Sequence, residues 1–234
     1  MNKMLLAAVM TTSLVMAGCG GSSSSPDTGS GGGDGGTGGG GGGGGSTTVT
    51  ISGTVTDSNS VALAGVSGQA IYVAGSPSPV SGTTDASGNY SITVEKNKDL
   101  YLSVTNSGYI TVNSEIMNLS ANITGVDTSL VTVTDAEAML QGVFSDSTLT
   151  MSSAAWLVVD VVDANGNRIT DGTGGSSVTV TPGPDAVVTD ADPTTVPSYF
   201  GKYAAGGNVT VTVGGVSKTG VLKTGEVLFM TFQQ

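Results

Sequence analysis

Apolar and polar residues alternate along the stretch Thr48-Val49-Thr50-Ile51-Ser52-Gly53-Thr54-Val55-Thr56-Asp57. Because successive side chains of an extended chain point to opposite faces, a period of two predicts a strand with one buried face. Similar patterns, rich in Val and Thr, fill most of the sequence that follows, and only one short segment has a helical pattern. The sequence therefore predicts an all-β fold with one short helix.

Further strand patterns follow this stretch up to about residue 124. Extended segments are predicted at residues 69–73, 90–94 and 100–105, and residues 85–89 predict a turn. Gly88 can adopt the positive φ that such a turn requires. Residues 48–124 are therefore predicted to form the first β-sandwich.

The order of motifs in residues 48–124 resembles the carboxypeptidase regulatory-like domain, a transthyretin-like β-sandwich. The residues that carry the resemblance are Ile51, Gly53, Val55, Asp57, Leu63, Gly65, Val66, Thr84, Asp85, Gly88, Tyr90, Ile92, Gly108 and Tyr109. The chain departs from the family in the loop at residues 75–82, where Pro77 and Pro79 interrupt the second strand. The resemblance implies a fold but no activity, because such modules serve as spacers and binding modules in many secreted proteins.

The helical pattern falls at residues 134–141, within a connector that we assign to residues 125–150. Thr134 is predicted to cap the helix, Glu137 to complete a capping box and Gly142 to end the helix. Asp135 and Glu137 are two positions apart, so their side chains diverge on a helix and do not form a catalytic pair.

A second set of strand patterns fills residues 151–234. The apolar run from Ala155 to Asp163 predicts a strand buried on at least one face with Trp156 in the core, and later segments alternate around a tight turn at Gly214 and Gly215. We expect a second β-sandwich here, and the pattern leaves open whether it is transthyretin-like or immunoglobulin-like. Two sandwiches in tandem are the predicted architecture.

The first 18 residues predict a secretory leader. Lys3 precedes an apolar run that is too short to cross a bilayer as a helix. The run ends in Met16-Ala17-Gly18-Cys19, which resembles the bacterial lipoprotein signal, with Met where Leu is usual. The resemblance implies cleavage between Gly18 and Cys19 and acylation of Cys19. Two or more acyl chains give stable membrane anchoring. Gly rather than Asp at position 20 favours the outer over the inner membrane, facing either the periplasm or the cell surface.

Residues 19–47 follow as a linker rich in Gly and Ser, including an unbroken run from Gly38 to Gly45. Such a composition cannot bury enough apolar surface to order the chain, so a disordered linker is predicted. A random coil of this length has an end-to-end distance of roughly 30 Å. The folded region would therefore be held away from the membrane surface.

Composition excludes several classes of function. The formal charge is −11 and no Lys/Arg cluster is present, so the chain would repel a phosphate backbone and nucleic acid is not an expected partner. The sequence contains no His and only one Cys. Ser-His and Cys-His nucleophile pairs and His metal sites are therefore absent. We expect no cofactor and no enzymatic activity.

Two groups of residues are weak candidates for ligand binding. Asp163, Asn165, Asn167 and Asp171 have part of the spacing of a calcium loop, but Gly166 and Gly174 depart from that pattern, and a hairpin turn explains these residues better. Tyr199, Phe200 and Tyr203 could present aromatic rings to a sugar, although such residues more often fill a sandwich core.

The sequence as a whole favours a non-enzymatic lipoprotein of the bacterial cell envelope that serves as a structural or interaction module. Its expected partners are the membrane, through the acylated Cys19, and another envelope protein or a polysaccharide. A carbohydrate-binding surface lipoprotein is the alternative that the aromatic residues leave open.

Overall fold

The computed structural model describes residues 46–165, 178–189 and 199–234. The predicted all-β fold with one helix is confirmed, and Thr48–Asp57 forms a single strand over its whole length. No helix among the described residues is long and apolar enough to cross a membrane.

Eight strands of the described chain precede the helix. They are β1 (Thr48–Asp57), β2 (Ser67–Tyr72), β3 (Val80–Thr83), β4 (Asn89–Glu95), β5 (Asp99–Thr105), β6 (Thr111–Asn113), β7 (Met117–Asn118) and β8 (Thr128–Leu130). The turn between β3 and β4 forms as predicted, since Gly88 has a φ of 78° and Asp85 Oδ1 accepts the N–H groups of Ser87 and Asn89.

The N-cap of helix α1 (Val133–Phe144) lies two residues before the predicted one. Thr132, not Thr134, is the N-cap: its Oγ1 accepts the N–H of Asp135 and donates to Asp135 Oδ2. Asp135 therefore occupies the position predicted for Glu137, whose Oε1 instead accepts the N–H of Met151 at 2.9 Å. The helix continues through Gly142 because Ser145, with a φ of 53°, provides the left-handed residue that ends it.

Within the described residues, seven strands follow the helix and a short 3-10 turn at Met151–Ser153. They are β9 (Ala155–Val162), β10 (Thr179–Thr181), β11 (Ala186–Thr189), β12 (Tyr199–Tyr203), β13 (Gly207–Val213), β14 (Val216–Leu222) and β15 (Glu226–Gln233). The predicted tight turn between β13 and β14 is confirmed, with positive φ at Gly214 and Gly215 and Val213 opposite Val216.

One sheet runs through both halves of the molecule. Its order is β11-β12-β9-β15-β6-β5-β2-β3, with β7 paired to β5. The strand β15 lies between β9 and β6 and is parallel to both. The final strand of the chain therefore joins the region before the helix to the region after it, and we call this shared sheet the long sheet.

Two smaller sheets cover opposite faces of the long sheet. The sheet β4-β1-β8 and the helix lie on one face, where one hydrophobic core extends from Ile51 and Leu102 to Trp156 and Phe229. The sheet β10-β13-β14 lies on the other face, over β9, β12 and β15, and encloses a second core around Val211 and Met230. The two sandwiches expected from the sequence thus share one sheet.

Gly53 shows how closely the layers approach each other. A Cβ atom at this position would lie 2.1 Å from the carbonyl oxygen of Val126, a separation that no side chain can accommodate without backbone movement. Thr54, next in β1, donates its N–H and its hydroxyl to Asp127 Oδ1 at 2.8 Å. The chain before β8 is therefore fixed against the outer side of β1.

Candidate functional site

The residues predicted to be cleaved and acylated, Gly18 and Cys19, lie outside the described residues, and their roles stay predictions. The same is true of Asn167 and Asp171 from the weak calcium candidates. Of that group, Asp163 and Asn165 are described, and Asp163 Oδ1 accepts the N–H of Asn165 at 2.8 Å, as in a turn. Within the described ranges, no group of three or more Asp, Glu or Cys residues could hold a metal ion.

The aromatic candidates for sugar contact lie in the interior of the molecule. The exposed fractions of Tyr199, Phe200 and Tyr203 are 6%, 2% and 5%. Phe200 packs against Trp156 with ring centroids 6.0 Å apart, and Tyr203 donates its hydroxyl to the carbonyl oxygen of Pro182. Burial raises the pKa of Tyr199 and of Tyr203. These rings serve as core, and their faces are not available for stacking on a ligand.

A different surface remains open on the long sheet. The sheet β10-β13-β14 covers one face only over β9, β12 and β15, so the same face of β3, β2, β5 and β6 lies beyond it. Two rows of side chains cross these four strands on that face: Thr83, Ser67, Thr105 and Thr111 in one row, and Ser81, Gln69, Ser103 and Asn113 in the other. We call these eight residues the polar platform.

The platform is uncharged and polar, whereas the opposite face of the same strands is apolar. Ala70, Leu102 and Val112 project from that opposite face into the core. The alternation follows from the pleat of each strand, and the strand pairing aligns the polar positions across the sheet. Hydrogen bonds join neighbours within each row: Gln69 Nε2 donates to Ser81 Oγ at 3.1 Å, and Thr111 Oγ1 donates to Thr105 Oγ1 at 3.0 Å.

Exposure decreases from the edge strand towards the centre of the molecule in the row of Ser81, Gln69, Ser103 and Asn113, but not in the other row. Ser81, Thr83 and Thr105 are exposed, and Ser67, Gln69 and Thr111 are half-buried. Ser103 is 8% exposed and Asn113 is fully buried. The platform therefore ends where β14 and residues 223–225, which precede β15, rise from the long sheet. We call β14 and these residues the wall.

Asn113 lies at the base of this wall. Its Nδ2 donates to Glu226 Oε2 at 2.6 Å, while its Oδ1 has no hydrogen-bond partner within the described residues. An amide oxygen that is buried without a partner costs free energy, so it calls for a bound water or ligand group. Glu226 also lies 3.8 Å from Lys223 Nζ.

Two lysines of the wall are held by acids and aromatic rings. Lys223 Nζ lies 5.2 Å from the centroid of the Tyr101 ring. Burial lowers the pKa of Lys223, but hydrogen bonding to Tyr101 and the charge of Glu226 more than offset that effect, so the pKa is raised overall. Lys218 Nζ lies 2.6 Å from Glu115 Oε1 and donates to the carbonyl oxygen of Thr231. Both lysines are therefore engaged with the protein itself.

The wall also connects the two halves of the molecule. Glu115 follows β6, whereas Lys218 belongs to β14, so their ion pair crosses the boundary between the regions. Close to it, the N–H of Ile116 donates to the carbonyl oxygen of Thr219 at 2.8 Å. These contacts fix the position of β14 at the end of the platform.

A second feature of the described chain is a small cavity beneath the helix. It has a volume of about 50 Å³ and is lined by apolar side chains of the helix and the long sheet, among them Met139, Leu140, Trp156, Phe200 and Phe229. A cavity lined in this way offers too few polar partners to hold an ordered water. It shows imperfect packing of α1 on the sheet, and it contains no group that could perform chemistry.

Sequence reasoning did not identify the platform, although part of its signal is visible. Ser67, Gln69 and Ile71 alternate with buried residues along β2, as an exposed face requires. The alignment of four such strands depends on their pairing, and the pairing of β6 with β15 joins residues that are far apart in the chain. The rows therefore appear only in three dimensions.

Comparisons with known proteins give no family for this chain. No protein-family model matches it, and no curated protein matches it. Among solved structures, a streptococcal ancillary pilin is 10% identical with a TM-score of 0.29, and the match covers 80% of this chain and 62% of the pilin. A DUF3823 family protein from Parabacteroides merdae is 15% identical with a TM-score of 0.28, and 75% of this chain and 97% of that protein are covered.

A chlorocatechol 1,2-dioxygenase from Pseudomonas putida is also similar, at 11% identity and a TM-score of 0.29. That match covers 36% of this chain, and the chain spans 60% of the length of the dioxygenase. These identities and TM-scores are too low to transfer an activity, a partner or a family.

Proposed function

We propose that this chain is a non-enzymatic lipoprotein of the bacterial cell envelope whose folded region is a structural or interaction module. The observation that carries the proposal is the position of β15 between β6 and β9. This strand joins the two halves through main-chain hydrogen bonds, and apolar side chains pack on both of its faces. A body built in this way suits the presentation of a surface at a fixed geometry.

The use of ionisable side chains supports a non-enzymatic role. Backbone N–H groups in turns donate to Asp57 and Asp85 and lower the pKa of both carboxyl groups. The hydroxyl and then the N–H of Thr148 lower the pKa of Asp146. Lys218 and Lys223 are paired with Glu115 and Glu226. These groups stabilise the fold, and their pairing accounts for them without a catalytic role.

The proposal includes the membrane anchor and the relation to the carboxypeptidase regulatory-like domain. Met16-Ala17-Gly18-Cys19 and the glycine-rich segment after it support acylation of Cys19 and a tether at the outer membrane. Two positions in the first region support the family relation. A Cβ atom at position 53 would collide with the backbone of Val126, so only glycine fits there, and Gly88 has a positive φ in the turn between β3 and β4. Both residues belong to the motif that carries the resemblance.

The anchor is tested by Cys19→Ala in the full chain, expressed in a bacterium that processes lipoproteins. We expect the wild type to sediment with membranes and to resist extraction by salt. The variant should appear in the soluble periplasmic or extracellular fraction, because it has lost its acyl chains. Protease treatment of intact cells that carry the wild type then shows whether the folded region faces the surface.

The matched control is Ser24→Ala, which removes a hydroxyl group, as Cys19→Ala removes a thiol, from the segment after the signal and leaves Met16 to Cys19 intact. It should fractionate with the membranes like the wild type. If Cys19→Ala remained bound to membranes as firmly as Ser24→Ala, the lipoprotein assignment would be wrong.

A further inference from the structure

We propose that the polar platform binds an uncharged polysaccharide, laid across β3, β2, β5 and β6 with one end against the wall formed by β14. This inference deepens the proposed function and rests on it, since it names the partner class of the interaction module. It involves different residues from the buried Tyr199, Phe200 and Tyr203.

The chemistry of the rows matches a hydroxyl-rich polymer. Each of the eight platform side chains is a hydroxyl or a carboxamide, and both groups donate and accept hydrogen bonds. Neighbouring strands lie about 4.8 Å apart, so the three intervals from β3 to β6 give a surface roughly 14 Å long. A chain of sugar units presents donors and acceptors along such a length without any charge.

The same composition argues against other partners. None of the platform residues is charged, so the platform itself offers no charge for an anionic or a cationic polymer. Protein interfaces concentrate their binding energy in Tyr, Trp, Arg and Met and contain little Ser, whereas the platform consists mainly of Ser and Thr. The next pair on this face, beyond the two rows, is Ile71 and Tyr101. Ile71 is half-buried and Tyr101 is buried, so this pair adds little of the exposed apolar surface that a lipid surface would require.

Asn113 is an independent observation that points to a ligand at this face. The side chain is fully buried, and its Oδ1 has no hydrogen-bond partner within the described residues. It occupies the same row as Ser81, Gln69 and Ser103, at the end that meets the wall. Because Asn113 is buried, a water between this oxygen and a sugar hydroxyl at the end of the row would satisfy it.

The experiment uses the full chain, purified in detergent, so that its result does not depend on where the protein is located in the cell. Binding is measured by affinity electrophoresis in gels that contain dextran, xyloglucan or galactomannan, and by co-sedimentation with cellulose and chitin. Alginate serves as the anionic comparison. We expect at least one of the neutral polysaccharides to retard or sediment the protein, and alginate to have no effect.

The platform is tested by the double variant Ser81→Ala and Thr105→Ala, which removes two exposed hydroxyls. Two lost hydrogen bonds should weaken binding roughly tenfold. The matched control is Ser91→Ala with Thr93→Ala, which removes the same two residue types from exposed positions of β4 on the outer side of the molecule. It should bind like the wild type. Thermal unfolding followed by circular dichroism verifies that both variants are folded.

Three results would overturn the proposal: no binding of any neutral polysaccharide, equal or stronger binding of alginate, or an equal loss of binding in the β4 control. In the first case the platform is an ordinary solvated face. Each of these results leaves the Cys19→Ala fractionation unaffected, so failure of the ligand assignment is distinguishable from failure of the anchor.

Discussion

The strands β9 and β2 belong to the same sheet and have opposite surroundings. Every residue of β9 from Ala155 to Val161 is buried, because the helix α1 packs on one face and the sheet β10-β13-β14 covers the other. In β2, only Ala70 and Tyr72 are fully buried, and Ser67, Gln69 and Ile71 face the uncovered side. A strand covered on both faces is apolar on both, as β9 is at every position except Asp160, whereas a strand covered on one face keeps its alternation.

Within one sheet, the strands covered on both faces stabilise the fold, and the strands covered on one face present the proposed binding surface. The doubly covered region supplies the cores that hold β15 between β9 and β6. The singly covered region presents polar side chains on a rigid backbone, and rigid presentation lowers the entropy cost of binding. Substitutions in the two regions should therefore have very different effects on the free energy of unfolding.

The largest decrease in the free energy of unfolding is expected from Trp156→Ala in β9. The side chain is completely buried, contacts Phe144 and Phe200, and donates its indole N–H to the carbonyl oxygen of Met151 at 2.9 Å. Its removal should lower the free energy of unfolding by about 3–5 kcal/mol, since it adds a large void next to the existing cavity. Urea denaturation measures the change.

The control for this prediction is Val61→Ala, which truncates a side chain that is 58% exposed and should change the free energy of unfolding by less than about 0.5 kcal/mol. If Trp156→Ala lowered the free energy of unfolding no more than Val61→Ala, the conclusion that the core around β9 stabilises the fold would be wrong.

The contrast between a strand covered on both faces and a strand covered on one face was visible in the sequence, but the layers that cover them were not. The run from Ala155 to Asp163 predicted a strand buried on at least one face, and the alternation from Thr48 to Asp57 in β1 predicted a half-buried one; both strands form, and β9 ends at Val162. The capping of α1 was wrong by two residues, because Thr132 and Asp135 compete for the same role as Thr134 and Glu137, and local sequence spacing suits both pairs.

Long-range pairing explains what the sequence could not predict. The sharing of one sheet depends on β15, which is parallel to β6 although more than a hundred residues separate Asn113 from Leu228. Local patterns determine which face of a strand is apolar, but they do not specify its neighbour. For the same reason the burial of Tyr199 and the alignment of the platform rows were not predictable, since each depends on which sheet covers which strand.

Two isosteric substitutions compare the effect of a single hydroxyl group on stability in the core and on the platform. Val159→Thr places a hydroxyl in the core beneath β13, where the exposed fraction is 0% and no polar partner is provided; it should cost about 1–3 kcal/mol. Thr105→Val removes an exposed hydroxyl from the platform and should change stability by less than about 0.5 kcal/mol.

Both variants are measured by urea denaturation under identical conditions. If Thr105→Val destabilised the protein as much as Val159→Thr, the platform hydroxyls would be structural, and the division between a stabilising region and a binding region would be wrong.

The smallest change in stability is expected from a substitution at Asp85, in the turn that leads from the platform's edge strand β3 to the outer strand β4. Hydrogen bonds from the backbone and side chain of Asn89 and from the backbone of Ser87 lower the pKa of Asp85. A carboxyl group whose pKa is lower in the folded state stabilises the fold above its unfolded pKa, and this contribution is lost as the pH falls through the folded value.

Asp85→Asn keeps an acceptor oxygen but loses the charge, so the variant should melt at a slightly lower temperature than the wild type at pH 7. Below pH 3.8, the unperturbed value, the two melting temperatures should converge as Asp85 becomes protonated. Melting curves between pH 7 and the acid limit of folding measure this convergence. A difference that widened on acidification would show that the charged carboxylate does not stabilise this turn.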